Sequence, residues 1–468
     1  MARSSRHFPW SLLFPCLCCL LAPVASSPVA MTHLPGFDGP LPFSLETGYV
    51  EVDESNGVHL FYYFVESEKD PAIDPLVLWM QGGPGCSGLL GLAYEMGPFK
   101  FDVEGYRGGL PTLLYRPETW TKLSNIIFID SPIGAGFSYA TSEEGLKSSD
   151  TMAVKKLVIF LKKWLHEHPQ FLSNPLYVGG ESYCGITIPT LALEIDISNK
   201  ESGDEPLLNL KGYFAGNPST DARFDVAGNI QFFYGMGMLS DEMYETAKEN
   251  CRGNYSDPPN ALCAESVQAI ANCTKDINWS HVLEPSCNAI RSPKIQQAAV
   301  KSGTSGLMVE YSADDDIPFP FKCRGDTLEL SNIWANDERV RKSLGVRKGT
   351  KGEWITCDHG IPFTRDIMST IEIHLRLRKE GYPALIFSGD HDSGVSFVGT
   401  QAWIRSLNLS ITDDWRPWYV DGQVAGFTRS FSSNLTYATV KGAGHTTPEY
   451  KPKECLAMFT RWISGDPL

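Results

Sequence analysis

The sequence lacks an excess of positive charge. Its 40 Lys and Arg residues are outnumbered by 55 Asp and Glu residues, which gives a formal net charge of −15, and no basic cluster or charged tail stands out. Contact with nucleic-acid phosphates requires a basic face on the protein. We therefore expect no nucleic-acid partner.

Long hydrophobic runs are also scarce. The apolar stretch Trp10–Val24 is interrupted by Pro15 and Pro23 and is shorter than the ~20 residues of a membrane-spanning helix. Arginines precede this stretch and the small residues Ala25–Ser27 follow it, which is typical of a secretory signal peptide rather than a membrane anchor. We therefore predict that residues 1–27 form a signal peptide. The mature protein should have no stable membrane insertion and should reside in the secretory pathway, in the vacuole or outside the cell.

Two glycine-rich stretches lack the endings of nucleotide-binding sites. Gly82–Gly88 is not followed by the Lys-Ser or Lys-Thr of a phosphate-binding loop, and no third glycine follows the pair Gly134 and Gly136. The chain has no internal repeats. No cofactor and no metal ion are predicted.

Cysteine usage agrees with a secreted protein. Three of the 12 cysteines lie in the first 27 residues, and the remaining number, nine, is odd and leaves at least one thiol free. Sequons for N-glycosylation also support passage through the secretory pathway. We predict glycosylation at five positions: Asn254, Asn272, Asn278, Asn408 and Asn434.

Strands and helices alternate along most of the chain. The hydrophobic pattern predicts strands at Thr47–Val52, His59–Val65, Leu76–Met80, Asn125–Asp130, Leu210–Ala215, Ala384–Ser388 and Tyr437–Val440, and helices at Asp150–His168, Tyr183–Asn199, Asp366–Glu380 and Pro452–Ser464. Such alternation favours an α/β fold in which helices cover both faces of a sheet.

The alternation fails between about residues 221 and 360. We interpret this part as a lid inserted between the two parts of the core, which are predicted at 28–220 and 361–468. Within the lid, 292–316 is poor in hydrophobic residues and contains a run of three aspartates. This loop is predicted to be exposed and open to proteases.

A serine stands between a short apolar strand and a helix in the segment Tyr177–Ile186. This arrangement indicates a nucleophile elbow, in which a sharp, strained turn requires small neighbours. Gly180, Cys184 and Gly185 meet that requirement around Ser182. An ordinary strand-to-helix turn is the alternative unless the serine has catalytic partners.

Two loops near the C-terminus supply such partners. His445 lies in a glycine-rich loop after one predicted strand, and Asp390 and Asp392 follow another. In hydrolases with an elbow serine, the acid and then the histidine follow it along the chain. Asp390 is the preferred acid because it comes first after its strand, and Asp392 is the alternative.

A third loop, Trp79–Gly88, directly follows a predicted strand. Its glycines allow backbone N–H groups to approach a ligand closely. One N–H from this loop and one from Tyr183 would form an oxyanion hole, in which each donor contributes ~2.7–4 kcal/mol of transition-state stabilisation.

Several motifs in one order resemble the serine carboxypeptidase family, and more closely its plant serine carboxypeptidase-like acyltransferases. They are Trp79–Gly88, Asp130–Tyr139, Gly180–Gly185, Ser388–Asp390 and Gly442–His445. The resemblance covers essentially the whole mature chain. It implies an α/β-hydrolase fold, with a mixed central sheet flanked by helices and an inserted, mainly helical lid.

The resemblance also implies roles for individual residues. Ser182 would be the nucleophile, His445 the general base and Asp390 the acid that orients the imidazole. The backbone N–H groups of Gly83 and Tyr183 match the family's oxyanion hole.

Further residues match the positions that grip the C-terminal carboxylate of a peptide in family carboxypeptidases. They are Trp79, Gln81, Glu95 and Glu181, and Gly82 is included with them as a substrate-binding residue. Two secluded carboxyl groups cannot both ionise cheaply, so one keeps a proton and donates a hydrogen bond. Gln81 stands where asparagine is usual, and its extra methylene would displace the amide.

The family's arrangement implies a disulfide framework. Three bridges are expected, leaving the other three cysteines of the mature chain, Cys184, Cys273 and Cys455, unpaired. The bridges are Cys86–Cys357, Cys251–Cys263 and Cys287–Cys323.

The predicted function is acyl transfer in plant secondary metabolism. The donor would be a 1-O-acyl-glucose and the acceptor an alcohol or an amine, because Gly389–Asp392 and Phe397–Leu407 resemble the acyltransferase branch. Ser393–Ser396 departs from that branch, which usually has a bulkier segment containing proline. A carboxypeptidase is the main alternative. The third hypothesis is a family member that has lost its ancestral activity and serves as a binding protein or carries out other chemistry, such as cyanohydrin cleavage.

Overall fold

The structure is a computed structural model that describes residues 28–201, 203, 207–287 and 323–468. The predicted signal peptide, 1–27, and the predicted protease-sensitive loop, 292–316, lie outside the described residues. No described helix is long and apolar enough to cross a bilayer.

The described chain contains sixteen strands. In chain order they are β1 Val29–Met31, β2 Leu45–Asp53, β3 Val58–Val65, β4 Leu76–Met80, β5 Phe99–Phe101, β6 Leu113–Tyr115, β7 Asn125–Ile129, β8 Tyr139–Ala140, β9 Ser148–Ser149, β10 Leu176–Glu181, β11 Leu210–Gly216, β12 Phe363–Thr364, β13 Ala384–Gly389, β14 Ile411–Val420, β15 Gln423–Phe431 and β16 Leu435–Val440.

The α-helices of the described chain alternate with these strands. They are α1 Glu143–Leu146, α2 Asp150–Glu167, α3 Cys184–Glu201, α4 Ala222–Gly235, α5 Asp241–Cys251, α6 Ala261–Thr274, α7 Glu329–Asn336, α8 Glu338–Ser343, α9 Ile371–Lys379, α10 Phe397–Ser406, α11 Thr447–Tyr450 and α12 Pro452–Ser464. A π-helical turn lies at Gly91–Glu95, and 3₁₀ turns lie at Trp120–Lys122, Pro169–Phe171 and Arg324–Leu328.

One mixed sheet organises the molecule. Its strand order is β1-β2-β3-β7-β4-β10-β11-β13-β16-β15-β14, with β8 paired to β3. The six central strands from β7 to β16 are parallel, and antiparallel strands extend both ends. Helices cover both faces, so central strands such as β4 and β7 are buried at every residue, and all of their residues except Asn125 are apolar. The expected mixed sheet of an α/β-hydrolase fold is confirmed.

Each face of the sheet has its own core. On one face, α2 and α3 pack on the sheet, with Trp164 fully buried. On the other face, Trp120 stacks on Phe459 of α12, with ring centroids 4.1 Å apart. These two layers hold the strands rigidly, so the loops at the C-terminal edge of the sheet have fixed starting points.

Helices α4 to α8 lie in the chain between β11 and β13. Helices α4, α5 and α6 share a small core that includes Ile230, Ala247 and Ile270. Helix α4 also packs on α10 of the main fold, where the Phe232 and Phe397 rings meet edge to face with centroids 5.9 Å apart. This helical insertion fits the predicted lid, and the predicted domain boundaries stay a prediction.

The expected disulfide framework is confirmed by three bridges: Cys86–Cys357, Cys251–Cys263 and Cys287–Cys323. Cys184, Cys273 and Cys455 are free.

Four of the predicted glycosylation sites are exposed, whereas Asn278 is half-buried. Glycosylation itself stays a prediction.

The sequence pattern missed two large features and misplaced one boundary. One missed feature is the helix α10. The other is the long antiparallel hairpin of β14 and β15, which lies at the edge of the sheet and alternates poorly because its outer strand is largely exposed. The helix predicted from Asp366 begins only at Ile371. The backbone N–H groups of Asp366 and Ile367 instead donate to Asp150 Oδ2.

Candidate active site

Ser182 occupies a strained turn between β10 and α3. Its φ of 62° lies in the left-handed region that a serine adopts only at a cost. The turn is held because the Ser182 N–H donates to the Gly216 carbonyl at 2.9 Å, and the Ser219 N–H donates to the Ser182 carbonyl at 2.9 Å. The predicted nucleophile elbow therefore has the backbone geometry that exposes a serine hydroxyl.

Close packing around the elbow explains its small neighbours. A Cβ on Gly180 would lie 2.7 Å from Cys184 Cβ, and a Cβ on Gly185 would lie 2.6 Å from Pro218 Cβ. A larger side chain at either glycine would force the turn apart.

The serine hydroxyl contacts a histidine that is held by a buried acid. His445 Nε2 lies 2.7 Å from Ser182 Oγ, and His445 Nδ1 lies 2.8 Å from Asp392 Oδ2. Asp392 is fully buried. This is the geometry of a Ser-His-Asp triad, in which the imidazole can accept the hydroxyl proton and the carboxylate stabilises the imidazolium that results.

The prediction that Asp390 orients His445 was wrong. Asp390 Oδ1 instead lies 2.5 Å from His391 Nδ1 and accepts a hydrogen bond of 2.6 Å from the Gly442 N–H. Asp390, which directly follows β13, turns toward the partly exposed side of the loop. The chain then folds back, so that the second acid, Asp392, points inward under the imidazole.

A buried asparagine that the sequence analysis missed fixes Asp392. Asn217 Nδ2 donates to Asp392 Oδ2 at 2.6 Å, while Asn217 Oδ1 accepts from the Gly389 N–H and from Thr447 Oγ1. The Gly394 N–H donates to the other carboxylate oxygen at 2.7 Å. The signal for Asn217 was its place directly after β11, beside the loop that carries the acid.

The glycine loop after β4 lies against the elbow. A Cβ on Gly82 would lie 2.6 Å from Ser182 Cβ and 3.0 Å from the Tyr183 backbone nitrogen. Within the described part of the chain, neither the Gly83 nor the Tyr183 N–H donates to another protein group. Both donors are therefore free for a substrate oxygen.

A buried carboxyl group and a disulfide bridge hold this glycine loop. Asp130 Oδ1 accepts from Ser87 Oγ at 2.6 Å and from the Gly88 N–H at 2.9 Å. Burial raises the pKa of Asp130 to about 6. The Cys86–Cys357 bridge ties the same loop to the segment that follows the lid helices. These contacts preorganise the loop before substrate binds.

Four of the predicted substrate-binding side chains form one buried cluster. Gln81 Nε2 donates to Glu95 Oε1 at 2.7 Å and to Glu181 Oε1 at 2.9 Å. The Trp79 indole N–H donates to Gln81 Oε1 at 3.3 Å. Both N–H groups and the oxygen of the Gln81 amide are thus engaged within the protein.

The two carboxyl groups of this cluster both resist ionisation. Burial raises the pKa of Glu95 to about 7, and a hydrogen bond from Glu181 opposes that rise. Burial raises the pKa of Glu181 further, and the nearby Glu95 carboxylate adds to the effect. Glu181 is therefore the harder of the two groups to ionise.

A cavity of about 340 Å³ opens beside this cluster. Its walls include Glu95, Thr446 and Trp279, and the Trp279 ring lies edge-on to the His445 ring with centroids 4.9 Å apart. The sequence analysis missed Trp279, because no motif marks it. The cavity thus borders Glu95 of the carboxyl pair and Thr446, the residue after His445.

Residues of the type that bind metals form one close group in the described chain, Cys287, Cys323 and Asp326. The two cysteines are joined in a disulfide, so their sulfurs are not available as thiolate ligands.

Comparison with known proteins gives the family. The profile of the family described as serine carboxypeptidase matches residues 35–465. The chain belongs to the serine carboxypeptidase family. It is therefore an enzyme of that family. Two Arabidopsis thaliana relatives are serine carboxypeptidase-like 7, 46% identical with 98% of each chain covered, and serine carboxypeptidase-like 17, 44% identical with 100% of each chain covered.

A solved structure supports the fold. A prohormone-processing carboxypeptidase from Saccharomyces cerevisiae, Kex1(delta)p, superposes on the present structure with a TM-score of 0.74. The superposition covers 94% of the present chain and 95% of the yeast chain. The two sequences are 20% identical, so the likeness bears on the fold alone.

Proposed function

We propose that this enzyme is an acyltransferase that moves an acyl group from a 1-O-acyl-glucose to an alcohol or amine acceptor. Ser182 Oγ attacks the acyl carbonyl and gives its proton to His445 Nε2. The Gly83 and Tyr183 N–H groups bind the oxyanion, and glucose leaves with the proton from His445. The acceptor then loses its proton to His445 as it attacks the acyl-serine, and the released serine oxygen takes that proton back.

The observation that carries this proposal is the closed hydrogen-bond cluster around Gln81. A peptide carboxylate needs hydrogen-bond donors, and both N–H groups of the Gln81 amide are already donated to Glu95 and Glu181. Breaking those bonds would leave buried carboxyl groups without partners, at a cost of ~1–3 kcal/mol for each group. Carboxylate capture is therefore disfavoured, and an ester donor without a carboxylate is not subject to this cost.

Transfer must also be faster than hydrolysis, because water can attack the same acyl-serine. Binding can orient an acceptor with an effective molarity of up to ~10⁵–10⁸ M, far above the ~55 M of water. The cavity beside His445 offers room for such an acceptor.

A serine carboxypeptidase is the second candidate, and the raised pKa values of Glu95 and Glu181 favour it. The protonated member of the pair can donate to a substrate carboxylate at mildly acid pH. The Gln81→Asn change distinguishes the two functions, since a shorter amide would release its donors. We expect this variant to gain peptidase activity.

The proposed setting is the plant secretory pathway, with the protein in the vacuole or outside the cell. The disulfide bridges, which form and persist in oxidising compartments, support this proposal.

Side-by-side assays of purified protein test the function. One reaction contains a 1-O-acyl-glucose with a panel of alcohols and amines, and the other contains a blocked dipeptide. We expect acylated acceptor in the first and little free amino acid in the second, with both absent in Ser182→Ala. Efficient release of C-terminal amino acids, with no acylated product from the panel, would establish the carboxypeptidase instead.

A further inference from the structure

Trp279 stands out among the residues around the triad, because it is a large apolar side chain that the lid holds in an exposed position. Its relative exposure is 56%, although it packs directly against the ring of His445. An indole so exposed leaves much of its apolar surface in water, which is unfavourable unless a ligand covers it.

The lid segment that carries Trp279 is fixed to both catalytic loops by backbone hydrogen bonds. The Trp279 carbonyl accepts from the Ser393 and Gly394 N–H groups at 3.0 and 3.1 Å. The next carbonyl, that of Ser280, accepts from the His445 N–H at 2.7 Å. The indole is therefore held at a set position beside the imidazole rather than on a free loop.

Gly394 makes room for the ring. A Cβ at this position would lie 2.8 Å from Trp279 Cζ3, closer than real side chains approach. Gly394 belongs to the segment Ser393–Ser396, which departs from the bulkier segment usual in the acyltransferase branch. The small residue and the large indole thus fit together in this chain.

The indole also forms part of a cavity wall near the triad. Trp279 lines the cavity of about 340 Å³ together with Glu95 and Thr446, the residue after the catalytic histidine. Any acceptor must bring its hydroxyl or amine to His445 Nε2, because that nitrogen takes the proton. The body of the acceptor then lies next to the imidazole, and so next to Trp279.

We propose that Trp279 selects the acyl acceptor, by binding the apolar or aromatic ring of an acceptor whose hydroxyl or amine is deprotonated by His445 and attacks the acyl-serine. This inference rests on the proposed acyl transfer. The acceptor O–H or N–H bond breaks as the new ester or amide bond forms, the proton passes through His445 to Ser182 Oγ, and the acyl-serine ester bond breaks. The indole favours ring-bearing acceptors over water and over small alcohols.

The test compares 2-phenylethanol with ethanol as acceptor, with one acyl-glucose donor. The measured quantity is the ratio of ester product to free acid, which cancels differences in the amount of active enzyme. For Trp279→Ala we expect the ratio with 2-phenylethanol to fall about tenfold and the ratio with ethanol to fall less than about twofold. Trp279→Phe should keep most of the wild-type preference.

Gly394→Ala supplies a second perturbation that displaces the ring without shortening it. It should reduce the preference for 2-phenylethanol in the same direction as Trp279→Ala. An equal fall for both acceptors in Trp279→Ala would show that the indole only supports His445, and an unchanged ratio would also overturn the inference. A wild-type enzyme that acylates neither acceptor but releases amino acids refutes the proposed function, and this inference with it.

Discussion

Replacing Asp392 by asparagine is the sharpest test of the site. The carboxylate accepts hydrogen bonds on both oxygens, from His445 and Asn217 on Oδ2 and from the Gly394 N–H on Oδ1. A neutral amide presents an N–H to one of these donor groups, whichever way it turns, and it cannot stabilise a charged imidazolium. We expect kcat to fall about 10³- to 10⁴-fold, equivalent to ~4–5.5 kcal/mol of transition-state stabilisation.

Asp390→Asn is the matched control, because it makes the same chemical change two residues away. Asp390 is partly exposed, and its partners are His391 and the Gly442 N–H, to which an amide oxygen can still bond. An exposed pair of this kind contributes at most ~1 kcal/mol, so we expect kcat to fall less than about fivefold.

The assay measures kcat with an acyl ester for both variants, together with Tm to verify folding. A large loss in Asp390→Asn and near-normal activity in Asp392→Asn would refute the assignment of the orienting acid from the geometry.

Other predictions concern stability and covalent structure. Burial raises the pKa of Glu181. At pH values above the ordinary carboxyl pKa, the folded protein therefore binds more protons than the unfolded chain does. The free energy of unfolding should fall as pH rises from about 5 to 8. Glu181→Gln should flatten that slope in urea unfolding measured across the pH range. Cys86→Ser should lower the free energy of unfolding by about 5 kcal/mol, because the lost bridge spans 271 residues, and an unchanged urea midpoint would contradict this. Protease cleavage within 292–316 should give two chains that separate on gels only after reduction, because Cys287–Cys323 joins the flanking segments; resistance to digestion would refute this prediction.

Local sequence patterns were sufficient for much of the fold. The central strands were visible because a parallel strand covered on both faces is almost entirely apolar, as β4 is and as β7 is after Asn125. The elbow at Ser182 was visible because its strained turn demands small neighbours within a few residues. The edge hairpin of β14 and β15 was missed, because an exposed edge strand has no such requirement.

The choice of orienting acid was a matter of tertiary structure. Asp390 and Asp392 follow the same strand, and spacing favours the first. Which carboxylate meets His445 depends on how the loop turns, and that turn is set by Asn217 after β11 and by the Gly394 N–H. These contacts join segments that are far apart in the chain, so no local pattern carries them.

Trp279 could not be predicted from the sequence for the same reason. Nothing near it in the sequence marks it as part of the site, and it reaches His445 only because backbone hydrogen bonds join the lid to the catalytic loops. The sequence by itself predicted the central strands of the sheet, the serine and the histidine of the site and, through the family resemblance, the disulfide framework, because local pattern or family motifs specify each of them. Only the tertiary structure decided the acid and the wall of the cavity, because both depend on contacts between distant segments.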